Sequence, residues 1–144
     1  MTTENRSEIL AVIRKLYAAL DWNADKLPDW DIFKACFHGT ARLYPSARPL
    51  EAVGVDAFVE RMDAQRQNGN LAAFSETMLG EDIQTFGNVA VVFSAYETLM
   101  NHKTRNRGLN AFHMARDGGE WKVIGLAWDN EGEGQPLPDL SGGR

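Results

Sequence analysis

Few side chains in this sequence have the type and placement to do chemistry, and Glu76 leads them. If the Gly87-Asn88 turn is tight, Glu76 lies on the same strand face as Tyr96. An apolar wall there would raise its pKa toward neutrality, making it the best internal general-base candidate. Glutamate is rarely fully buried, so a solvated strand end is its ordinary alternative. Tyr96 and Asn110 interrupt an otherwise apolar face. A buried amide or hydroxyl without a partner costs about 1–3 kcal/mol. Burying an indole such as Trp128 yields about 4–6 kcal/mol at 25 cal/mol per Å². The pair therefore either bonds within the fold, to each other or to a trapped water, or meets a ligand.

Other chemistries lack their residues. His38, His102 and His113 show no His-x-x-x-His or equivalent ligand spacing, and Cys36 is the one cysteine, so no metal site is expected. His102 sits in a polar turn beside Lys103, His38 borders Gly39 where it could cap a helix, and His113 falls on the strand face away from the helices. There is no strand followed by a glycine-rich phosphate loop, no Gly-x-Ser-x-Gly elbow and no Cys-His nucleophile pattern. Arg105 and Arg107 could meet an anion, but surface ion pairs with Asp117, Asp129 or Glu131, each worth under about 1 kcal/mol, are the simpler reading. Trp22 and Trp30 flank the 21–29 loop and are read as a pocket lip or as packing between helices.

The chain that positions these residues has 144 residues, 44% apolar and 24% charged, the composition of one globular domain. A net charge of −5 argues against a nonspecific nucleic-acid binder. No apolar run approaches the roughly 20 residues of a membrane span. The start lacks a basic region followed by an apolar one, so no secretory signal is expected. A cytosolic domain without nucleic-acid or membrane partners is the expectation.

Ile9, Val12, Ile13, Leu16, Tyr17 and Leu20 form one helical stripe, with Asn5 or Ser7 as its cap. A short helix after Pro28 places Trp30, Phe33, Cys36 and Phe37 together, led by Asp29 or Asp31 and stopped at Gly39. Residues 41–44 read as a strand closed by Pro45, and Pro49 to about Gln67 as a third helix. Beyond residue 70 the period falls to two. Strands are predicted at 71–85, 89–101, 106–116 and 120–129, joined through Gly87-Asn88 and Asp117-Gly118-Gly119. Helices followed by an antiparallel meander make an α+β domain over residues 1–131. Residues 132–144 read as an extended tail that lies on a neighbour and ends disordered.

Centring the hairpins near Lys103 and Gly118 pairs Tyr96 with Asn110, Ser94 with Phe112, Phe112 with Ile124, and Asn110 with Leu126. One face then carries Val92, Ser94, Tyr96, Asn110, Phe112, Met114, Ile124, Leu126 and Trp128. The other carries Phe93, Ala95, Ala111, His113, Trp121, Val123 and Ala127. Both are largely apolar, whereas a sheet with one wet side alternates apolar and polar. Three helices cover one face, so the other is expected to pair with a second copy as a homodimer.

This order of elements resembles the nuclear transport factor 2-like superfamily, which includes ketosteroid isomerases, scytalone dehydratases and SnoaL-like polyketide cyclases. The likeness runs over residues 5–131. Its carriers are Tyr17, Tyr44-Pro45, Phe86-Gly87-Asn88-Val89-Ala90, Arg107-Gly108-Leu109-Asn110, and Trp121-Lys122-Val123-Ile124 through Trp128. The resemblance implies a cone-shaped, cystatin-like α+β barrel: a curved antiparallel sheet packed on three N-terminal helices around an apolar pocket. It also implies that Tyr17 is an oxyanion donor, that Asn110 stands near a protonated acid of the isomerases, and that Trp128 forms the pocket wall. Tyr44 occupies the place of the isomerases' aspartate base. A phenol with a pKa near 10 is a poor base at neutral pH, which argues against steroid isomerisation.

The expected function is a pocket for a small, ring-containing apolar molecule. The expected chemistry is cofactor-free isomerisation, dehydration or cyclisation, with Tyr17 and Asn110 polarising a carbonyl and Glu76 moving the proton. Tyr44, Tyr96, Phe112, Trp128 and Trp30 would line the ligand. The alternative is a non-catalytic ligand-binding or dimerisation module.

Overall fold

The apolar stripe of the first segment folds as α1 (Thr3–Ala19). The structure, a computed structural model, describes residues 2–140. The cap of α1 comes earlier than expected. The Thr2 hydroxyl accepts from the Asn5 amide at 3.0 Å, so Asn5 and Ser7 lie within the helix. Ile9, Ile13, Leu16 and Tyr17 are buried along one side of it.

The second helix, α2 (Trp30–Ala35), is capped by the Asp29 carboxylate, which accepts from Ile32 N at 3.0 Å. It ends sooner than Gly39, because Phe37 already belongs to a strand, β1 (Phe37–Tyr44), with Gly39 inside it. His38 therefore caps no helix; its Nδ1 lies 2.8 Å from the Thr40 hydroxyl. The expected long third helix is also shorter. Val53 and Gly54 form a brief strand, β2, paired with Leu43 and Arg42, and α3 runs from Val55 to Gln67. Strand pairing wins there because it satisfies backbone groups while burying Val53 against the sheet.

The period-two region forms β3 (Phe74–Phe86), β4 (Val89–Met100), β5 (Thr104–Asp117) and β6 (Glu120–Asn130). Two of the turns place both central residues in the left-handed region: Asn101 and His102 at φ 54° and 60°, and Gly118 and Gly119 at φ 58° and 83°. Such turns match the twist of the strands they join. The strand order is β2-β1-β6-β5-β4-β3. β1 runs parallel to β6, so the curved, unclosed sheet is mixed and not purely antiparallel.

The observed register is offset from the expected one. Asn110 faces Ser94 and Trp128, Tyr96 faces Gly108, and Phe112 faces Val92 and Leu126. An offset of two keeps every side chain on its face. Nearer the last turn the parity changes, because a bulge in β6 beside His113/Met114 separates two registers. Trp121 and Val123, expected outside, are buried inside, while Ile124 is half-buried.

The core lies between the helices and the inner sheet face, built on Val92, Phe112, Met114 and Val123 against Ile9, Ile13 and Leu16. The outer face keeps Val91 and Phe93 about half exposed, at 49% each. The tail does not extend away from the domain. Residues 132–135 make a turn closed by Gln135 N to Gly132 O at 3.0 Å. Pro136, Leu137 and Pro138 then wall a hollow on the outer face, and Leu140 reaches Gly80 on β3. The expected disordered end, 141–144, lies outside the described residues.

Candidate functional site

A cavity of about 320 Å³ opens between α1, α2, α3 and the inner sheet face. Its apolar wall includes Leu16, Leu20, Phe33, Phe58, Phe74 and Trp128. Its polar lining is Ser46, Glu76, Tyr96, Thr98, Asn106, Asn110 and Asn130.

Four side chains from four elements meet beside it. α1 supplies Tyr17, β3 Glu76, β4 Ser94 and β5 Asn110. A bulge in β3 between Met78 and Gly80 reverses the alternation, so Glu76 points inward opposite Thr98 while Thr77 is exposed. The Asn110 amide nitrogen donates to Glu76 Oε2 at 2.8 Å and to the Tyr17 hydroxyl at 3.0 Å. The Tyr17 and Ser94 hydroxyls lie 2.6 Å apart. Since Tyr17 accepts from Asn110, its own proton is directed to Ser94. Both amide hydrogens of Asn110 and the one phenolic hydrogen of Tyr17 are thus engaged within the protein.

These surroundings set the electrostatics. Burial pushes the Glu76 carboxyl up to about 7, and the Asn110 hydrogen bond only partly opposes it. Protein atoms crowd Glu76 on every side except the cavity, which is why it is half-buried by surface and yet strongly desolvated. Its Oε1 makes no hydrogen bond among the described residues. The Tyr17 phenol is raised above its ordinary value by burial and by Glu76 beside it. Tyr96 is pushed up to about 12, first by burial and then by Glu76 and Asp129. Its hydroxyl donates to Asn130 Oδ1 at 3.0 Å. Gly108, opposite Tyr96, has no room for a side chain: a Cβ there would run into the Tyr96 hydroxyl and the Asp129 carbonyl oxygen. Among the described residues no group of three or more His, Cys, Asp or Glu could hold a metal ion.

The expected site residues divide between the cavity and its surroundings. Glu76, Asn110, Tyr96 and Trp128 line it. Tyr17 stands behind Asn110, reaching the site through that amide. Phe112 is buried in the core, 1% exposed, and does not reach the cavity. Trp30 packs edge-on against Phe33, which does line it, and donates to Asp63 at 2.9 Å. Tyr44 lines the hollow of about 360 Å³ on the opposite side of the sheet. Trp22 is packing, stacked on Phe74 with its indole N–H donated to Leu71 O at 2.9 Å. Arg105 pairs with Glu97 and Arg107 with Glu131 at the surface. Ser94 is the residue that sequence reasoning missed. Its signal was a small hydroxyl between Val92 and Tyr96 on an inward, apolar strand face.

No protein-family model matches the chain, and no curated protein matches it. Solved structures do. A nuclear transport factor 2-like protein of unknown function from Pseudomonas putida superposes with a TM-score of 0.72 at 17% identity, over 97% of this chain and 98% of that one. The fold is nuclear transport factor 2-like. A protein of unknown function with a cystatin-like fold from Nostoc punctiforme agrees, with a TM-score of 0.72 at 14% identity, over 91% of this chain and 94% of that one. A proposed scytalone dehydratase from Novosphingobium aromaticivorans shares the same nuclear transport factor 2-like architecture, with a TM-score of 0.71 at 13% identity, over 90% and 85% of the two chains.

Proposed function

We propose that the cavity binds a small, ring-containing, largely apolar molecule and that Glu76 exchanges a proton with it, in cofactor-free chemistry of the isomerase, dehydratase or cyclase type. The observation that carries this reading is a carboxyl held by Asn110 in an apolar cavity, with its second oxygen unpartnered among the described residues; burial there pushes it up to about 7. A base whose pKa lies near the working pH is both ionised and strong enough to take a proton. Asn110, Tyr17 and Ser94 act as positioning residues. The donor hydrogens of Asn110 and Tyr17 are spent on Glu76, on each other and on Ser94, so these two orient the carboxylate and do not polarise a carbonyl directly. Likeness to a proposed scytalone dehydratase supports this class of chemistry on the shared fold.

The test is deuterium exchange at the activated carbon of a bicyclic ketone, 2-tetralone, followed by NMR in heavy water. The protein should accelerate exchange over buffer, and Glu76→Gln should lose that acceleration. Exchange no faster than buffer would remove the enzymatic reading.

A non-catalytic role as a ligand-binding or dimerisation module is the second reading, and the half-exposed Val91 and Phe93 favour it. A homodimer through this outer face would cover them. Sedimentation that shows a monomer at micromolar concentration would overturn the dimer. A buried, unpaired Cys36 fits a reducing compartment, consistent with the cytoplasm. Among the described residues no helix is long and apolar enough to cross a membrane.

A further inference from the structure

We infer that the ligand of the inner cavity carries a protonated amine, with Glu76 as its counter-ion. This rests on the reading of the cavity as the ligand site, but not on catalysis there. Among the described residues lining the cavity, Glu76 is the one acidic or basic side chain outside the weakly acidic phenol of Tyr96; no Lys, Arg or His faces in. The groups packed around Glu76 add no positive charge either. α1 contributes the Tyr17 phenol, β4 the Tyr96 phenol and β5 the Asn110 amide, while α3 presents Phe58 and Met62 to the same cavity.

The geometry leaves one half of an ion pair in place. Asn110 fills one lobe of the carboxylate through Oε2, and among the described residues Oε1 has no partner, on a residue that lines the cavity. An unpaired carboxylate in an apolar site is costly, and a ligand cation would supply the missing charge and hydrogen bonds together. The walls suit the same class. Phe33, Phe58, Phe74, Tyr96 and Trp128 line the space, and Phe58 meets Trp128 edge to face at 5.8 Å. Aromatic faces attract ammonium groups through their quadrupole and accept the ring of an arylalkylamine by ordinary burial. A carboxylate or phosphate ester would bring a second negative charge to Glu76 with no cation to offset it.

The experiment is calorimetry with three probes of matched shape: 2-phenylethylamine, 2-phenylethanol and 3-phenylpropanoate. The amine should bind at least tenfold tighter than the alcohol at pH 7, and the carboxylate should not bind detectably. Titrations in buffers of different ionisation enthalpy should show that amine binding releases roughly half a proton, because a carboxyl near 7 is half protonated at that pH and the ammonium drives it to the ionised form. The alcohol should release none. Glu76→Gln should lose the preference for the amine while keeping the far-ultraviolet circular dichroism and cooperative unfolding of the wild type, which serve as the control for folding. Equal affinity for amine and alcohol, or an amine preference that survives Glu76→Gln, overturns the amine assignment while leaving the cavity as a ligand site. Failure of both amine and alcohol to bind the wild-type protein overturns both readings.

Discussion

Replacing Glu76 by Gln should stabilise this protein, by an amount that grows as the pH rises from 4.5 to about 7 and is then constant. Folding carries the Glu76 carboxyl from an ordinary 4.5 to about 7, chiefly through burial. A pKa raised in the folded state means that the folded protein binds the extra proton between those values. The stability belonging to the protonated form is fully present below pH 4.5 and is lost as the pH rises through about 7. At about 1.36 kcal/mol per pH unit, ionising the group in place costs on the order of 3 kcal/mol. Glutamine keeps the shape, can accept from Asn110, and never ionises. Urea unfolding of wild type and Glu76→Gln at pH 5 and pH 8.5 isolates the effect. The two proteins should be alike within about 1 kcal/mol at pH 5, whereas the variant should be more stable by about 3 kcal/mol at pH 8.5. For a domain of this size the gain corresponds to about 6–12 °C in melting temperature. An advantage of the same size at both pH values would show that ionisation of Glu76 is not what burial opposes. No advantage at pH 8.5 would show that the carboxylate is solvated in the folded state.

Other perturbations have equally definite outcomes. Tyr17→Phe removes the hydroxyl between Ser94 and Asn110 and leaves both short of a partner, so denaturant unfolding should show a loss of about 1–3 kcal/mol. Gly108→Ala forces a methyl against the Tyr96 hydroxyl and the Asp129 carbonyl, and should cost about 1–3 kcal/mol by the same measurement, with part of the loss recovered in the Tyr96→Phe background. Asp63, held down to about 2 first by its hydrogen bond to Arg66 and then by Trp30, contributes stability at neutral pH that is lost as the pH falls from 3.8 toward 2; Asp63→Asn should flatten that acid limb in a pH series of melting curves. Phe93→Glu places a charge on the outer sheet face; if that face joins two copies as proposed, sedimentation should shift from dimer to monomer without a change in the far-ultraviolet circular dichroism.

The parts of the fold written in periodicity were legible. The stripe of α1 and the alternation of β4 and β5 follow from side-chain spacing alone, and so does the inward orientation of Tyr96, Asn110 and Trp128. Boundaries that depend on long-range pairing were not. Val53-Gly54 leaves the helical register because Leu43 and Arg42 offer strand partners that a local window does not contain. The turn at Asn101-His102 sits one residue earlier than the basic Lys103 suggested, which moved every partner by two but no side chain across the sheet. The bulge near Ile124 has no marker in residue type, and unbroken alternation puts Trp121 and Val123 on the outer face, opposite to where they lie. At the site, the residue type of the general-base candidate was legible but its direction was not: alternation from the tight Phe86-Val89 turn puts Thr77 on the Tyr96 face, and only the bulge between Met78 and Gly80 brings Glu76 there. The spent hydrogens of Tyr17 and Asn110 were not legible either, since they depend on Ser94 lying within 2.6 Å of a residue 77 positions away.

Trp128 lines both the inner cavity and the outer hollow that the tail closes with Pro136, Leu137 and Pro138. One residue of β6 is therefore a party wall between two rooms, its indole turned to Phe58 on the inner side. A substitution at this one strand position therefore alters the walls of both spaces at once.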